Sequence, residues 1–448
     1  MPFQLEKGSH VCTIGNTFAD RMQHHGWLET YLHAAHPEHG LTFRNLGFAG
    51  DEIVTRPRSA NFGSPDQWLT KCEADVVFCF FGYNESLRGP SALPGFEKDL
   101  AQLISDMKTK RYNGESAPQL VFFSPIAHEN LESPLLPDGV ANNQNLALYS
   151  KAMETVCEAN QVPFVDLFSL SKKLYEQQAS PLTMNGIHLL DSGNRLVARE
   201  VFKTWTGKDA PADSSIAALR ESVLDKNYYW FSRYRVVDGY NVFGGRSKLE
   251  WFGQSNADVM KREMEIFDVM TGNRDRKVWA RAAGGDLEVT DDNIPEELIV
   301  RRNKVGPLND GGFPYLDGKE AIDKMTVHED MQVNLFADEK RFPRLINPVQ
   351  MAVDTDSRLW AAVWESYPHW NPTQPRKDAL LIFPDEDGDG DANFNGSGRT
   401  GVKGRSKKPM PMLASCCGEA ALASVVSSHT RSEARSIGDG CSLSLIHI

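Results

Sequence analysis

The chain has 448 residues, of which 41% are hydrophobic and 24% charged, with a formal net charge of −12. That length and composition allow two or three domains with buried cores. The acidic balance excludes broad nucleic-acid binding, which needs a basic surface, and no apolar run approaches the roughly 20 residues that span a bilayer. Met1 to His10 lacks the charged-then-apolar pattern of a signal peptide. Seven cysteines without regular spacing make no disulfide framework, and Cys416-Cys417 lacks the second ligand pair that zinc needs.

Residues 1–207 alternate strands and helices. His10 to Ile14 reads as a strand closed by Gly15-Asn16, followed at once by an amphipathic helix carrying Met22, Trp27, Leu28, Tyr31 and Leu32. Leu41 to Asn45 is a second strand, ended by the glycine-marked turn Leu46 to Asp51. Ala74 to Phe81 is almost unbroken apolar sequence, as expected of a parallel strand buried on both faces. A helix follows over Phe96 to Met107, a fourth strand over Gln119 to Phe123, and a helix over Tyr149 to Asn160. Val162 to Phe168 reads as a fifth strand. Leu189 to Trp205 reads as a last helix, with Leu190, Leu196, Val197, Val201 and Phe202 facing inward. The alternation predicts a three-layer α/β/α sandwich on a parallel sheet.

Such a sheet gathers the carboxyl ends of its strands at one edge, where ligands bind. Thr17, the Gly50 turn and Asn84 fall at those ends, and His188 comes from a late turn. Acyl transfer needs a hydroxyl, a base, a group to orient the base, and donors for an oxyanion. Thr17 offers the hydroxyl and His188 the base. The N–H groups of Thr17 and Gly50 and the amide of Asn84 offer the donors. Taken alone, the stretch favours Thr17 as a helix cap over a nucleophile. The histidines at 24, 25, 33, 36 and 39 read as a solvated helix face rather than a metal site.

Four segments resemble the SGNH (GDSL-type) hydrolase family. Gly15-Asn16-Thr17 stands where the family has Gly-Asp-Ser, and Asn45 to Asp51 is similar to its second block. Gly82-Tyr83-Asn84-Glu85 is similar to Gly-x-Asn-Asp, and Asn185-Gly186-Ile187-His188 to Asp-x-x-His. The resemblance implies an ester hydrolase without a cofactor, acting on a small-molecule or glycan ester, with Asn185 orienting His188. It also implies a periplasmic or secreted setting. Two departures stand out. Threonine adds a methyl that stiffens χ1, and Asn185 brings no charge to stabilise an imidazolium. A silent carbohydrate-binding domain that kept the pocket is the alternative.

Residues 208–325 read as an aromatic and helical connecting region. Tyr228 to Phe231 and Tyr240 to Gly245 are β-like, Ala257 to Ala283 is helical, and Asp291 to Glu297 is an acidic linker. Short strands are expected over Met331–Phe336, Val349–Asp354, Leu359–Val363 and Ala379–Phe383. Residues 326–398 read as a partial β-propeller-like segment, and 326–393 resemble the start of a β-propeller of the membrane-bound, sorbosone-dehydrogenase type, so the chain looks cut short. Asp385, Asp387 and Asp389 sit at calcium-loop positions one, three and five, but position twelve is Gly396, not glutamate. Residues 399–448 read as a disordered tail ending in a stretch, Leu443 to Ile448, typical of a translated sequencing-library end.

Overall fold

A computed structural model describes residues 4–236, 239–251, 253–300, 314–366 and 377–392. Cys416, Cys417, Gly396 and the tail lie outside the described residues. Strand β1 (His10–Gly15) leads into α1 (Thr17–His25) and α2 (Trp27–Ala35). The one helix expected here is two, because Gly26 takes a left-handed conformation and donates its N–H to the Met22 carbonyl. Then come β2 (Thr42–Asn45), α3 (Pro65–Lys71), β3 (Val76–Phe80), α4 (Tyr83–Ser86), α5 (Leu93–Lys108) and β4 (Gln119–Phe123). Helix α3, absent from the sequence reading, is opened by a capping box between Ser64 and Gln67. Next are α6 (Val140–Ala159), β5 (Phe164–Val165), α7 (Leu167–Gln177) and α8 (Asp191–Thr206).

The sheet order is β2-β1-β3-β4-β5 and every pairing is parallel. Side chains alternate across it. Val11, Phe78 and Phe80 join one core with Tyr31, Leu32 and Phe202. Cys12, Val77 and Cys79 join the other with Leu100, Ile104 and Met153. Helices on both faces thus complete three layers, as the apolar run in β3 required, and each fully buried Leu or Phe contributes about 1.5–3 kcal/mol.

The fifth strand is only two residues long. Pro163 has no N–H to add to the ladder, and the Asp166 side chain caps α7 by accepting from the Ser169 N–H at 3.0 Å. Leu190 does not face inward. The last helix begins at Asp191, and Leu190 is its extended preceding residue, 37% exposed. The histidines do not form a solvated face either. His33 is buried, edge-on to Phe43 and paired with Glu29, and His24 packs edge-on to Phe231.

Beyond residue 207 lie α9 (Asp213–Arg235), α10 (Gly239–Val242), β6 (Glu250–Trp251), β7 (Gln254–Ser255) and α11 (Asn256–Ala282). Tyr228 to Phe231 is helical, not β-like: Trp230 and Tyr234, four residues apart, are both buried, while Tyr228 faces outward at 42% exposure. Tertiary packing overrides the β preference of the aromatic run. Tyr240 to Val242 is likewise helical. The acidic stretch is docked, since Asp291 accepts from Arg274 at 2.9 Å and from Asn273 at 2.7 Å.

A short helix α12 (Gly318–Asp323) precedes β8 (Pro348–Val353), β9 (Leu359–Val363) and β10 (Ala379–Phe383). Of the propeller expected over 326–398, the described residues form a three-stranded antiparallel sheet, order β10-β9-β8. Met331–Phe336 is irregular, not a strand: Phe336 docks on the core of that sheet, and its carbonyl accepts from Ala392 instead of a strand neighbour. Among the described residues no helix is long and apolar enough to cross a membrane.

Candidate active site

The first turn of α1 starts where β1 meets β3. Gly15 has φ 131°, and a Cβ there would lie 2.1 Å from the Phe80 carbonyl oxygen, so only glycine admits this approach. The Asn16 N–H donates to that oxygen at 3.1 Å. Asn16, not Thr17, is the cap, because its Oδ1 accepts from the Phe18 N–H at 3.0 Å. Thr17 is therefore the first helical residue and half-buried, and its hydroxyl has no hydrogen-bond partner among the described residues. Its backbone N–H is one of those a helix start leaves free.

The turn after β2 is pressed onto this helix. Leu46 and Phe48 donate N–H bonds to the carbonyls of Thr13 and Gly15 at 2.7 and 2.9 Å. The Asn45 side chain accepts from the Gly47 N–H at 2.8 Å and donates to the Ala19 carbonyl at 2.6 Å. A Cβ on Gly47 would lie 2.6 Å from the Asp20 nitrogen, so the two segments pack backbone to backbone. Gly50 follows, exposed, with φ 85°. Asp51 is buried and held by both terminal nitrogens of Arg58, each at 2.7 Å.

The Asn84 block joins it. Asn84 Nδ2 donates to the Asp51 carbonyl at 3.5 Å. Glu85, which sequence reasoning quoted but gave no role, accepts from the N–H groups of Ile53 and Gly82, both at 2.9 Å. Burial pushes the Glu85 carboxyl upward, against those two backbone donors. Ser86 is the last residue of α4, and its hydroxyl donates to the Tyr83 carbonyl.

His188 Nδ1 lies 3.1 Å from Asn185 Oδ1, which also accepts from the His188 N–H at 3.1 Å. An amide oxygen only accepts, so this contact assigns the ring proton to Nδ1 and leaves a lone pair on Nε2. Burial, and then the positive charge of Arg21, push the His188 imidazole down to about 4. Arg21 Nη2 reaches the Leu189 carbonyl at 3.5 Å. Arg21 lies one helical turn beyond Thr17, so the His188 segment meets the face of α1 that Thr17 begins. Asp191 is occupied elsewhere, accepting from Trp27 Nε1 at 3.0 Å and Arg220 Nη2 at 2.6 Å.

Sequence reasoning missed the group that holds the His188 loop. The buried Glu129 carboxylate, on the segment after β4, accepts from the N–H of Leu182 at 3.0 Å and from the N–H and hydroxyl of Thr183, both at 2.7 Å. The Thr183 hydroxyl accepts from the Gly186 N–H at 2.9 Å, and the Glu129 N–H donates to the Gly186 carbonyl at 2.8 Å. A lone acid in the run Ile126-Ala127-His128-Glu129 was the available signal.

Residues 13–196 match the sequence model of the GDSL-like Lipase/Acylhydrolase family. Over these residues the chain holds a domain similar to GDSL/SGNH hydrolases. A curated relative of this domain is the GDSL esterase/lipase WDL1 of Oryza sativa subsp. japonica, 26% identical over 186 residues, covering 36% of this chain and 71% of that one. Similar solved structures include Axe2, an acetylxylan esterase from Geobacillus stearothermophilus, at 15% identity and TM-score 0.37, covering 47% of this chain and 100% of that chain. A gut microbial diltiazem-metabolizing enzyme is similar at 16% identity and TM-score 0.37, over 46% of this chain. The match spans 48% of that enzyme's length. Outside the hydrolase domain, residues 317–395 match a domain of unknown function (DUF7133). There Asp385, Asp387 and Asp389 bring carboxylate oxygens within 4.8 Å of one another, close enough to hold a metal ion.

Proposed function

We propose that the hydrolase domain is an esterase that removes acyl groups from O-acylated carbohydrates, using Thr17, His188 and Asn185. Thr17 Oγ1 attacks the acyl carbon and passes its proton to His188 Nε2. The oxyanion accepts hydrogen bonds from the N–H groups of Thr17 and Gly50 and from the Asn84 amide. Collapse expels the alcohol, which takes the proton from His188. Water then attacks the acyl-threonine and gives its proton to His188 Nε2; collapse frees the carboxylic acid, and His188 returns the proton to Thr17 Oγ1. Asn185 orients the ring throughout.

The observation that carries this reading is the state of the two reacting atoms. His188 is fixed through Nδ1 with Nε2 open and its segment reaches Arg21, which lies one helical turn from Thr17, and the Thr17 hydroxyl has no partner among the described residues. The acyl-carbohydrate part rests on the resemblance of the four blocks to a family that releases acyl groups from carbohydrates and lipids. The test is a screen of the full chain over acetylated mono- and oligosaccharides, with His188→Ala as control. Acetate release that the variant loses supports the reading, and release from none of them, or equally from the variant, contradicts it. As a separate part of the proposal, Asp385, Asp387 and Asp389 hold a calcium ion. Calcium should then raise the melting temperature relative to chelator, and an unchanged melting temperature removes that part.

A further inference from the structure

Strand β2 is an edge strand, so one row of its carbonyls has no strand to pair with. Two helices outside residues 13–196 fill that row with side chains. Trp279 Nε1 donates to the Leu41 carbonyl at 2.6 Å, and Lys226 Nζ to the Phe43 carbonyl at 3.2 Å. Trp230 Nε1 donates to the Asn45 carbonyl at 2.7 Å, and the Tyr234 hydroxyl to the Leu46 carbonyl at 3.1 Å. The series runs off the strand into the turn that carries Gly50.

The end of α9 also grips that turn from its side. The Arg235 guanidinium lies 3.6 Å from the centre of the Phe48 ring, and the Arg58 guanidinium lies 3.8 Å from the same ring. Arg235 Nη1 also bonds Asp20 Oδ1 at 2.9 Å, in α1. Arg58 continues to Asp51. One side chain therefore ties the helix of Thr17 to the turn of Gly50. Two cation–ring contacts at Phe48 help hold this short turn in one place.

We infer that Arg235 and Tyr234 are positioning residues for the oxyanion turn, and that α9 is a working part of the hydrolase although the family match ends before it. They fix where the Gly50 N–H sits relative to Thr17. This rests on the esterase reading only for its kinetic consequence. An error of about 1 Å at such a donor can cost on the order of 100-fold in rate.

The test uses the full chain with Arg235→Ala, Arg235→Lys, Tyr234→Phe and Trp279→Phe. Trp279→Phe is the control, since it removes an edge donor at the far end of β2. Amide hydrogen exchange is read over residues 46–51, together with kcat and KM for p-nitrophenyl acetate. Arg235→Ala should lower protection of the Leu46, Phe48 and Asp51 amides at least about tenfold and lower kcat about 10- to 100-fold, with KM within about twofold. Tyr234→Phe should do the same more weakly. Arg235→Lys, which keeps the pairing with Asp20, should recover part of both. Trp279→Phe should lower the melting temperature without either local effect. Unchanged exchange at residues 46–51 in Arg235→Ala, or the same kcat loss in Trp279→Phe, overturns the inference. An inert wild-type chain defeats the esterase reading instead, and the exchange comparison still decides the brace.

Discussion

The two halves of the site are held by different physics. The half that offers Thr17 and the turn of Gly50 is seated by backbone pressed against backbone, at Gly15 on Phe80 and Gly47 on Asp20, with side-chain ties at Asp51 and Glu85 around it. The half that offers His188 hangs on one buried carboxylate, Glu129, and on an amide, Asn185, where the family places a carboxylate. Close packing tolerates little adjustment, whereas a hydrogen-bonded loop can be retuned by one atom. The difference says where this protein's proposed chemistry is fixed and where it is adjustable: donors fixed, base adjustable.

Four substitutions sharpen that contrast. The largest effect is expected from His188→Ala, which removes the base and should lower kcat about 10³-fold, read by steady-state kinetics on p-nitrophenyl acetate. Asn185→Asp should act in the opposite direction. A charge beside Nδ1 stabilises the imidazolium, so kcat should rise by roughly one to two orders of magnitude, and the acid limb of the pH profile should move up with it. Glu129→Gln replaces charge-assisted bonds with weaker ones and sets an amide N–H against backbone donors. Denaturant unfolding should show a loss of about 2–3 kcal/mol. The smallest effect is expected from Thr17→Ser, where losing the methyl frees χ1 and should raise kcat a few-fold. Equal responses in both halves would erase the distinction.

The pH dependence of stability should involve both halves, through His188 in one and His24 on α1 in the other. Folded His188 titrates at about 4 and folded His24 at about 3, each below the ordinary 6.5. Between those values and 6.5 the unfolded chain binds more protons than the native one. Stability is therefore fully present above pH 6.5 and is lost as pH falls toward 4 and below. Thermal unfolding at pH 7.5, 6 and 4 should give a falling midpoint, and replacing His188 with glutamine should flatten part of the slope.

The parallel sheet was legible because β3 is continuously apolar and the strand ends carry glycine and asparagine, which local chemistry explains. The cap was misplaced by one residue: the sequence reading put it at Thr17, but Asn16 beside it is an equally good cap and only the fold decides between them. Glu129 was not legible, because its partners lie more than fifty residues away, at Leu182 and Thr183. Tyr228 to Phe231 misled for the same reason. Their β preference is local, but the carbonyls that Trp230 and its neighbour Tyr234 serve belong to β2 and the turn after it, far back in the chain. Residues whose reason is a distant partner leave no periodic trace in sequence.

The most direct test of the central claim is the pH profile of kcat/KM for p-nitrophenyl acetate from pH 3 to 8, with product separated and counted at each pH. A Thr17 hydroxyl served by a desolvated His188 predicts a flat rate from pH 8 to about 5, a fall with a midpoint near 4, and loss of the whole curve in His188→Ala. Turnover that survives in His188→Ala, or a curve that falls near 6.5, contradicts it.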